Sequence, residues 1–425
     1  MLIEFNVTNF RSIREKASLS MSTSSSREHL ETNSFSTGLK GLPRLLRSSA
    51  IYGPNASGKS TLVAAFHFMQ QFVLSSHAQQ EGQPIPFIPF RLHPEATLEP
   101  GEFEVHFVEG GVRYQYGFEV TASQVVSEWL VAFPHGRPQR WFNRSDKEDE
   151  NSKEWEFSNL FHGGAQRRLW RDSTRRNALF LSTAVQLNCE QLRPVFDWFA
   201  RRLAVVSDQT LIHQAFSLDL CGNEEGRGEM MRFMKAADIN ISGIEVRKAL
   251  FAPDLIPKGL PEPIREQLIR DMKDKEMANV RFRHDVAGGG AVDFDMSEES
   301  HGTQRLFWLA GPWLDILKKG RVLVVDELDA SLHPLLMRFL VGLFHDAVVN
   351  IGNAQLVLTT HDTSLLDDRA MRRDQFWFVE KNEDGSTRLY PLTDFHPRKE
   401  EAREAGYLKG RYGALPFIRK GRLSA

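Results

Sequence analysis

The run Gly53-Pro54-Asn55-Ala56-Ser57-Gly58-Lys59-Ser60 constrains this chain more than any other feature. It has the G-x-x-x-x-G-K-S form of a phosphate-binding loop. A strand-like stretch, Ser48 to Tyr52, precedes it, and Thr61 to Met69 follows with helical apolar spacing. Glycine lets the backbone come close to a phosphate, and the following helix presents its positive dipole end. In such a loop the backbone from Gly53 to Thr61 forms the cradle. Lys59 reaches the β- and γ-phosphates, and Ser60 sets its hydroxyl on Mg²⁺. The expected ligand is a nucleoside triphosphate with Mg²⁺.

Composition narrows the setting. The chain has 425 residues, 41% of them hydrophobic and 25% charged, which is ordinary for a globular protein. Its net charge of −2 gives no bulk basic signature for nucleic acid or an anionic membrane, although a local basic patch stays open. Two cysteines, Cys189 and Cys221, do not make a disulfide framework and are expected to fill core space. No basic leader opens the sequence and no window nears the roughly 18 apolar residues of a membrane span, so a cytoplasmic protein without membrane partners is expected.

Along the chain, Leu2 to Val7 and Ala17 to Met21 alternate like strands around Asn9-Phe10-Arg11-Ser12. The serine-rich stretch Ser22 to Arg47 has no steady period and reads as a surface loop. A proline-rich crossing, Pro84 to Pro89, leads to a hairpin, Phe103 to Val108 and Val112 to Val120, turning at Gly110-Gly111; Val125 to Phe133 and Gln139 to Asn143 extend the sheet. The charge run Asp146 to Lys153 reads as a solvated loop. From about Gly163 to Met277 the pattern turns helical, clearest in Asn177 to Leu187, Gln191 to Leu203, Gly228 to Asp238 and Pro263 to Lys275. It lacks the sustained heptads of a coiled-coil arm. A second hairpin, Val280 to His284 and Ala291 to Asp295 around Gly288-Gly289-Gly290, closes it.

The other half of a nucleotide site follows. Arg321-Val-Leu-Val-Val-Asp326-Glu327 is an apolar strand ending in two acids. By itself this is also what any buried strand with an acidic exposed end looks like. Beside a phosphate loop, Asp326 suits a water-mediated Mg²⁺ contact and Glu327 suits the base that activates water. Upstream, Glu299-Ser300-His301-Gly302-Thr303-Gln304 opens a helix running to Lys318, with Ser300 equally able to cap it. Downstream, the strand Gln355 to Thr359 leads to Thr360-His361-Asp362, where an imidazole can face a γ-phosphate.

Taken together, these elements resemble the SMC/RecF/OLD branch of ABC-type ATPases, with Asp326-Glu-Leu-Asp-Ala-Ser-Leu-His-Pro334 matching its acidic motif. The resemblance implies an α/β fold: an ABC-ATPase-like P-loop NTPase head, with a mixed sheet plus an antiparallel β-subdomain, interrupted by a helical insertion. It implies ATP and Mg²⁺ as ligands, Lys59, Glu327 and His361 as catalytic groups, and Ser60 and Asp326 on the metal. Ser300, Gly302 and Gln304 would bind the γ-phosphate held by an opposite subunit. His301 replaces the first signature glycine, and His333 stands where many relatives carry an aspartate. The implied division is 1–160 for the N-terminal half of the head, 161–278 for a mainly helical insertion, 279–396 for the C-terminal half and 397–425 for a charged tail.

More narrowly, Pro89-Phe-Arg-Leu92, Tyr114-Gln-Tyr-Gly-Phe-Glu119, Glu128-Trp-Leu130 and Tyr407-Leu-Lys-Gly-Arg-Tyr-Gly-Ala-Leu-Pro416 resemble the RloA-like ATPases of bacterial anti-phage loci, which include the ATPase subunit of the PARIS system. That resemblance implies an ATP-hydrolysing switch. It would work as a head-to-tail dimer or higher even-numbered homo-oligomer, controlling a separate Toprim-like nuclease effector and answering to a phage trigger protein. No nuclease metal arrangement is evident in the 64 residues after His361, hence the effector in trans. The alternative is a RecF- or SMC-like DNA clamp, for which Arg167, Arg168, Arg171, Arg175 and Arg176, with Arg398, Lys399, Arg403, Lys409 and Arg411, are the candidate basic groups. Arg11 is a candidate contact to the nucleotide base.

Overall fold

Val322–Val325, Gln355–Thr359 and Ser48–Tyr52 are buried along their whole length, so neither face of these strands can meet water. Strands of that kind belong inside a parallel sheet covered on both sides. In the computed structural model of the protein they form its centre. The order is Leu203–Val206, Val322–Val325, Gln355–Thr359, Ser48–Tyr52, Phe376–Lys381, all parallel, with Thr387–Pro391 antiparallel at one edge. The residues described are 1–145, 154–206, 214–250, 261–272, 276–329, 332–366, 371–397 and 402–416.

A second, seven-stranded sheet is antiparallel throughout, in the order Trp155–Phe157, Gln139–Ser145, Val125–Phe133, Val112–Val120, Gly101–Glu109, Leu2–Thr8, Ala17–Ser20. The Gly110-Gly111 turn has positive φ at both residues, as a tight hairpin requires. Between the sheets runs the phosphate-loop helix, Lys59–Ser75, with ten of its seventeen residues buried, too many for a helix that presents one face to solvent. Phe66 stacks on Phe5 at 3.7 Å, Phe68 meets Phe103 at 4.8 Å, and Phe72 meets Phe118 edge-on at 5.5 Å. Val322, Val324 and Val357 of the parallel sheet share this core. Burying a large apolar side chain there contributes about 1.5–3 kcal/mol.

Two buried amides join the layers. Gln355 accepts from the Leu2 amide (2.6 Å) and donates to the Leu2 (3.0 Å) and Leu46 (3.1 Å) carbonyls, locking the first antiparallel strand to the parallel sheet. Gln70 of the helix donates to the carbonyls of Phe199 (2.9 Å) and Leu203 (2.7 Å).

The stretch Ser22 to Arg47 is not the surface loop its composition suggests. It forms a short helix, Leu30–Asn33, and a two-stranded ribbon, Ser34–Phe35 with Leu45–Leu46, and buries Asn33, Phe35 and Arg47. Its serines supply hydrogen bonds that apolar residues could not. Arg372, fully buried, pairs with Asp374 (Nη2 to Oδ2, 2.6 Å), and Asp374 accepts from Ser24 N (2.8 Å) and Oγ (2.7 Å). A buried ion pair needs such extra donors to offset desolvation.

The predicted helix Gln191 to Leu203 is instead a 3₁₀ turn, a short α-helix Arg193–Asp197 and a π-turn Trp198–Arg202, after which Leu203 begins a strand. Successive aromatics explain the wide turn: Trp198 and Phe199 are both buried, with Phe107 stacked on Trp198 at 4.3 Å. Cys189 and Cys221 are buried thiols, pushed up to about 11 by burial. The charge run 146–153, together with Arg398 and Lys399, lies outside the described residues.

The chain divides into two units, one of residues 1–209, 316–330 and 334–425, the other of residues 210–315 and 331–333. The second contains helices Gln214–Leu220, Glu224–Ala236 and Glu262–Met272 and a three-stranded antiparallel sheet, Gly243–Leu250, Glu276–Asp285 and Ala291–Asp295. The sequence shows the last two strands as a hairpin and misses the first. The helix His301–Lys319 begins in this unit and carries Pro312 in its interior. Proline cannot donate to the Trp308 carbonyl four residues back. Ser217 Oγ donates to that carbonyl (3.1 Å) and to Phe307 O (2.9 Å) in its place. Gly311 admits the approach, since a Cβ there would lie 2.7 Å from the Ser217 backbone.

His345 yields a pH prediction. It is sealed beside Ser48 Oγ (2.8 Å from Nε2) and the Gln375 amide (3.2 Å), and burial, helped by Arg47 and His29, lowers it from 6.5 to about 3. Between these values the unfolded chain binds the proton and the folded chain does not, so this contribution is complete above pH 6.5 and is lost as pH falls toward 3. Denaturant melts of wild type should lose about 1.4 kcal/mol per pH unit more than His345→Gln in that window. Parallel pH slopes would refute it.

Candidate functional site

Parallel strands carry their carboxyl ends to one edge, and loops leaving that edge are where ligands bind. The phosphate loop follows Tyr52, Asp326-Glu327 follows Val325 and His361 follows Thr359, so this topology gathers the phosphate loop with two motifs that lie more than 250 residues further along the chain. The histidine strand sits between the other two.

Asn55 through Thr61, with Ser12 and Glu327, line a cavity of about 370 Å³. Two backbone features shape the loop. Ala56 and Gly58 have φ of 61° and 115°, and Gly58 packs so tightly that a Cβ would fall 2.2 Å from Thr387 Oγ1. Gly53 is equally constrained, because a Cβ there would lie 2.3 Å from the Val379 carbonyl. Lys59 donates to the carbonyls of Gly53 (2.7 Å) and Pro54 (3.1 Å), which holds its ammonium over the loop. Burial lowers the Lys59 pKa, against the opposing pull of Asp326, Glu327 and Asp329. Ser60 and Thr61 open the helix, Ser60 exposed on the cavity side.

Asp326 and Glu327 are held by a residue the sequence reading passed over. Thr359 Oγ1 donates to Asp326 Oδ1 and accepts from the Glu327 amide (2.8 Å). Glu327 itself has φ 45°, a left-handed conformation that costs a non-glycine residue about 1 kcal/mol or more and persists where neighbours impose it. His361 is exposed, and its amide donates to Asp329 Oδ2 (3.0 Å). With Gly53 and Pro54 it lines an adjoining cavity of about 920 Å³, walled by the tail from Tyr407 to Pro416. That tail, without chemical meaning in the sequence, folds onto the parallel sheet. Tyr407 packs on Phe378 (5.5 Å), Tyr407 and Tyr390 hydroxyls donate to Ala414 O (2.9 Å) and Tyr412 O (2.8 Å), and Glu380 accepts from Ala414 N (3.1 Å).

The residues present fit a triphosphate with Mg²⁺. Ser57 Oγ and Asp329 Oδ1 are buried with no partner among the described residues, and the glycine cradle has no room for a side chain. Among those residues no three His, Cys, Asp or Glu side chains gather as a metal site. An Mg²⁺ held by a hydroxyl, a carboxylate, water and phosphate oxygens does not need one.

Ser300, Gly302 and Gln304 belong to the second unit. Ser300 Oγ accepts from the Thr303 amide (3.1 Å), as a helix cap does, and Gln304 Nε2 donates to Glu299 O (2.8 Å). His333 is exposed; Ala330 and Ser331, earlier in the same motif, lie outside the described residues. In the Asn9–Ser12 motif, Asn9 is a buried clamp, donating to Ala96 O (2.8 Å) and Glu99 O (2.9 Å) and accepting from Phe90 N (2.9 Å), whereas Ser12 reaches the cavity. Arg11 is exposed, 5.3 Å from the Phe10 ring, and does not line the cavity.

Thr359→Val keeps the shape of its side chain and strips both acids of a partner. Urea unfolding should show a loss of about 1–3 kcal/mol, with Thr359→Ser restoring most of it. An unchanged midpoint in Thr359→Val would mean the acid pair positions itself.

Residues 48–179 and 226–367, well over half of the chain, match the family described as "AAA domain, putative AbiEii toxin, Type IV TA system". No curated protein matches the chain significantly. Among solved structures, the SMC head domain from Thermotoga maritima is similar at 14% identity and a TM-score of 0.40, over 92% of this chain and 98% of that one. The recombination mediator RecF with ATP, of the RecFOR pathway, is similar at 15% identity and a TM-score of 0.36, over 92% and 99%. The matched residues contain the phosphate loop, the acid pair and His361, all brought to one edge of a single parallel sheet, and the chain accordingly belongs to this AAA-domain family of P-loop ATPases.

Proposed function

We propose that this chain binds ATP with Mg²⁺ at the Gly53–Thr61 loop, hydrolyses it, and uses the nucleotide state as a switch in a bacterial anti-phage defence system, controlling a separate nuclease-type effector. The observation that carries the ATPase reading is the shared cavity: the loop residues Asn55 to Thr61, Lys59 and Ser60 among them, line one space with Glu327. Lys59 and the loop amides bind the phosphates. Ser60 and Asp326 would hold Mg²⁺, whose charge offsets that of the phosphate oxygens. Glu327 takes the proton of the attacking water, and His361 donates to the γ-phosphate.

The switch reading rests on the family's description as a toxin of a type IV toxin–antitoxin system, and on the RloA-like motifs. In this reading Ser300, Gly302 and Gln304 of a second copy complete the site across a head-to-tail dimer. Nucleotide occupancy and dimer geometry are then linked, because a ligand that binds one assembly state stabilises it.

Lys59→Ala should weaken ATP binding by about tenfold or more, measured by equilibrium titration. Glu327→Gln should bind ATP as wild type does while turnover falls about 100-fold or more. Wild-type turnover in Glu327→Gln would remove its assignment as base. Tagged Glu327→Gln protein drawn from its native host should carry a stoichiometric effector protein; DNA without a protein partner would overturn the switch in favour of a DNA clamp. Ser300→Arg should abolish ATP-dependent dimerisation in light scattering while monomer binding of ATP survives, and retained dimers would sink the composite site.

A further inference from the structure

Against the phosphate loop, and not among the residues that line the cavity, sits Thr387, the first residue of the edge strand Thr387–Pro391 and almost wholly buried. Its hydroxyl meets four groups. It donates to the Ser57 carbonyl (2.9 Å), accepts from the Lys381 ammonium (3.2 Å), lies 2.8 Å from Ser12 Oγ, and closes against Gly58, whose missing Cβ would fall 2.2 Å away. The Thr387 amide donates to Ser12 O (2.7 Å), and Ser12 Oγ in turn donates to Thr61 Oγ1 (2.9 Å) at the start of the phosphate-loop helix. Lys381 is fixed at its other side by Gly385 O (2.9 Å). The C-terminal half of the loop is thereby held, at Ser57 by the Thr387 hydroxyl and at Thr61 through Ser12, by one residue contributed from far along the chain.

The geometry has a directional consequence. A trans peptide is planar, with its C=O and N–H pointing in opposite directions. The Ser57 carbonyl is held toward Thr387, so the N–H of the same peptide, that of Gly58, points away from Thr387. Gly58 lines the nucleotide cavity and Thr387 does not. Gly58 has φ 115°, a region open to glycine, so without an external anchor this peptide is free to rotate.

We infer that Thr387 is a positioning residue for nucleotide binding: its hydroxyl fixes the Ser57–Gly58 peptide with the Gly58 N–H turned toward the phosphates, and it couples the loop to the hairpin that carries Lys381. This rests on the ATP reading of the same cavity. The aimed donor meets ground state and transition state alike, so its loss weakens affinity rather than turnover. Serine supplies the same hydroxyl, whereas valine supplies the shape without it.

The test is titration of wild type, Thr387→Val and Thr387→Ser with the fluorescent analogue mant-ATP and Mg²⁺, reading Kd and binding stoichiometry separately, beside thermal melts. Thr387→Val should bind about tenfold more weakly at full stoichiometry, and Thr387→Ser should return to within about twofold of wild type. A merely structural role would lower stoichiometry or melting temperature and leave Kd of the folded fraction unmoved, which overturns the inference, as does wild-type Kd in Thr387→Val. Should Thr387→Val not be recovered folded, Thr387→Cys, whose thiol is a weaker donor, takes its place under the same two criteria. Failure of wild type itself to bind mant-ATP would strike the ATP reading and not the loop geometry, so the two failures are told apart.

Discussion

Parallel pairing of strands drawn from five distant segments is the constraint on which the rest of this protein depends. The three central strands are buried along their whole length, and parallel alignment forces the carboxyl ends of all five to one edge. Nothing in the local sequence of the phosphate loop, the Asp326-Glu327 pair or His361 brings them together. The sheet does so as a by-product of burying valines and leucines, and chemistry is placed on the loops that leave it.

Such a sheet must be covered on both faces, and the phosphate-loop helix covers one. Its other side packs on the antiparallel sheet, so the helix that follows the phosphate loop is held by phenylalanines of that sheet and by valines of the parallel one. Buried amides hold what shape alone leaves loose. Gln355 joins the first strand to the parallel sheet, and Gln375 bonds Ser48, Asn33 and His345 at the foot of the phosphate-loop strand. These groups have partners in only one register, so they select one arrangement among many similarly apolar ones. Strain at Glu327 is sustained in the same way, by a threonine hydroxyl on the neighbouring strand.

Much of the site was legible in the sequence because its motifs are local. Glycine spacing, a lysine and a serine at a helix start, and acids after an apolar strand each express chemistry within a few residues. Strand bounds were legible for the same reason, as in Ser48–Tyr52 and Val125–Phe133, where period and turn residues agree. The misreadings share an opposite cause. Ser22 to Arg47 looked polar because its serines answer a buried Arg372–Asp374 pair found some 350 residues later. Leu203 looked like a helix end because its strand partner is Val322.

By itself, then, the sequence determined that this chain makes a phosphate loop between a strand and a helix and an acid pair after an apolar strand, since these depend on contacts between near neighbours. Tertiary structure alone decided what holds them in working geometry. Thr359 orders the acids, Thr387 anchors the Ser57 carbonyl, and the tail from Tyr407 walls the space beside His361. A lone threonine or tyrosine carries no pattern in one dimension. Its hydrogen bond has meaning once folding has set its partner within 3 Å, and that distance is fixed by the packing of the whole sheet.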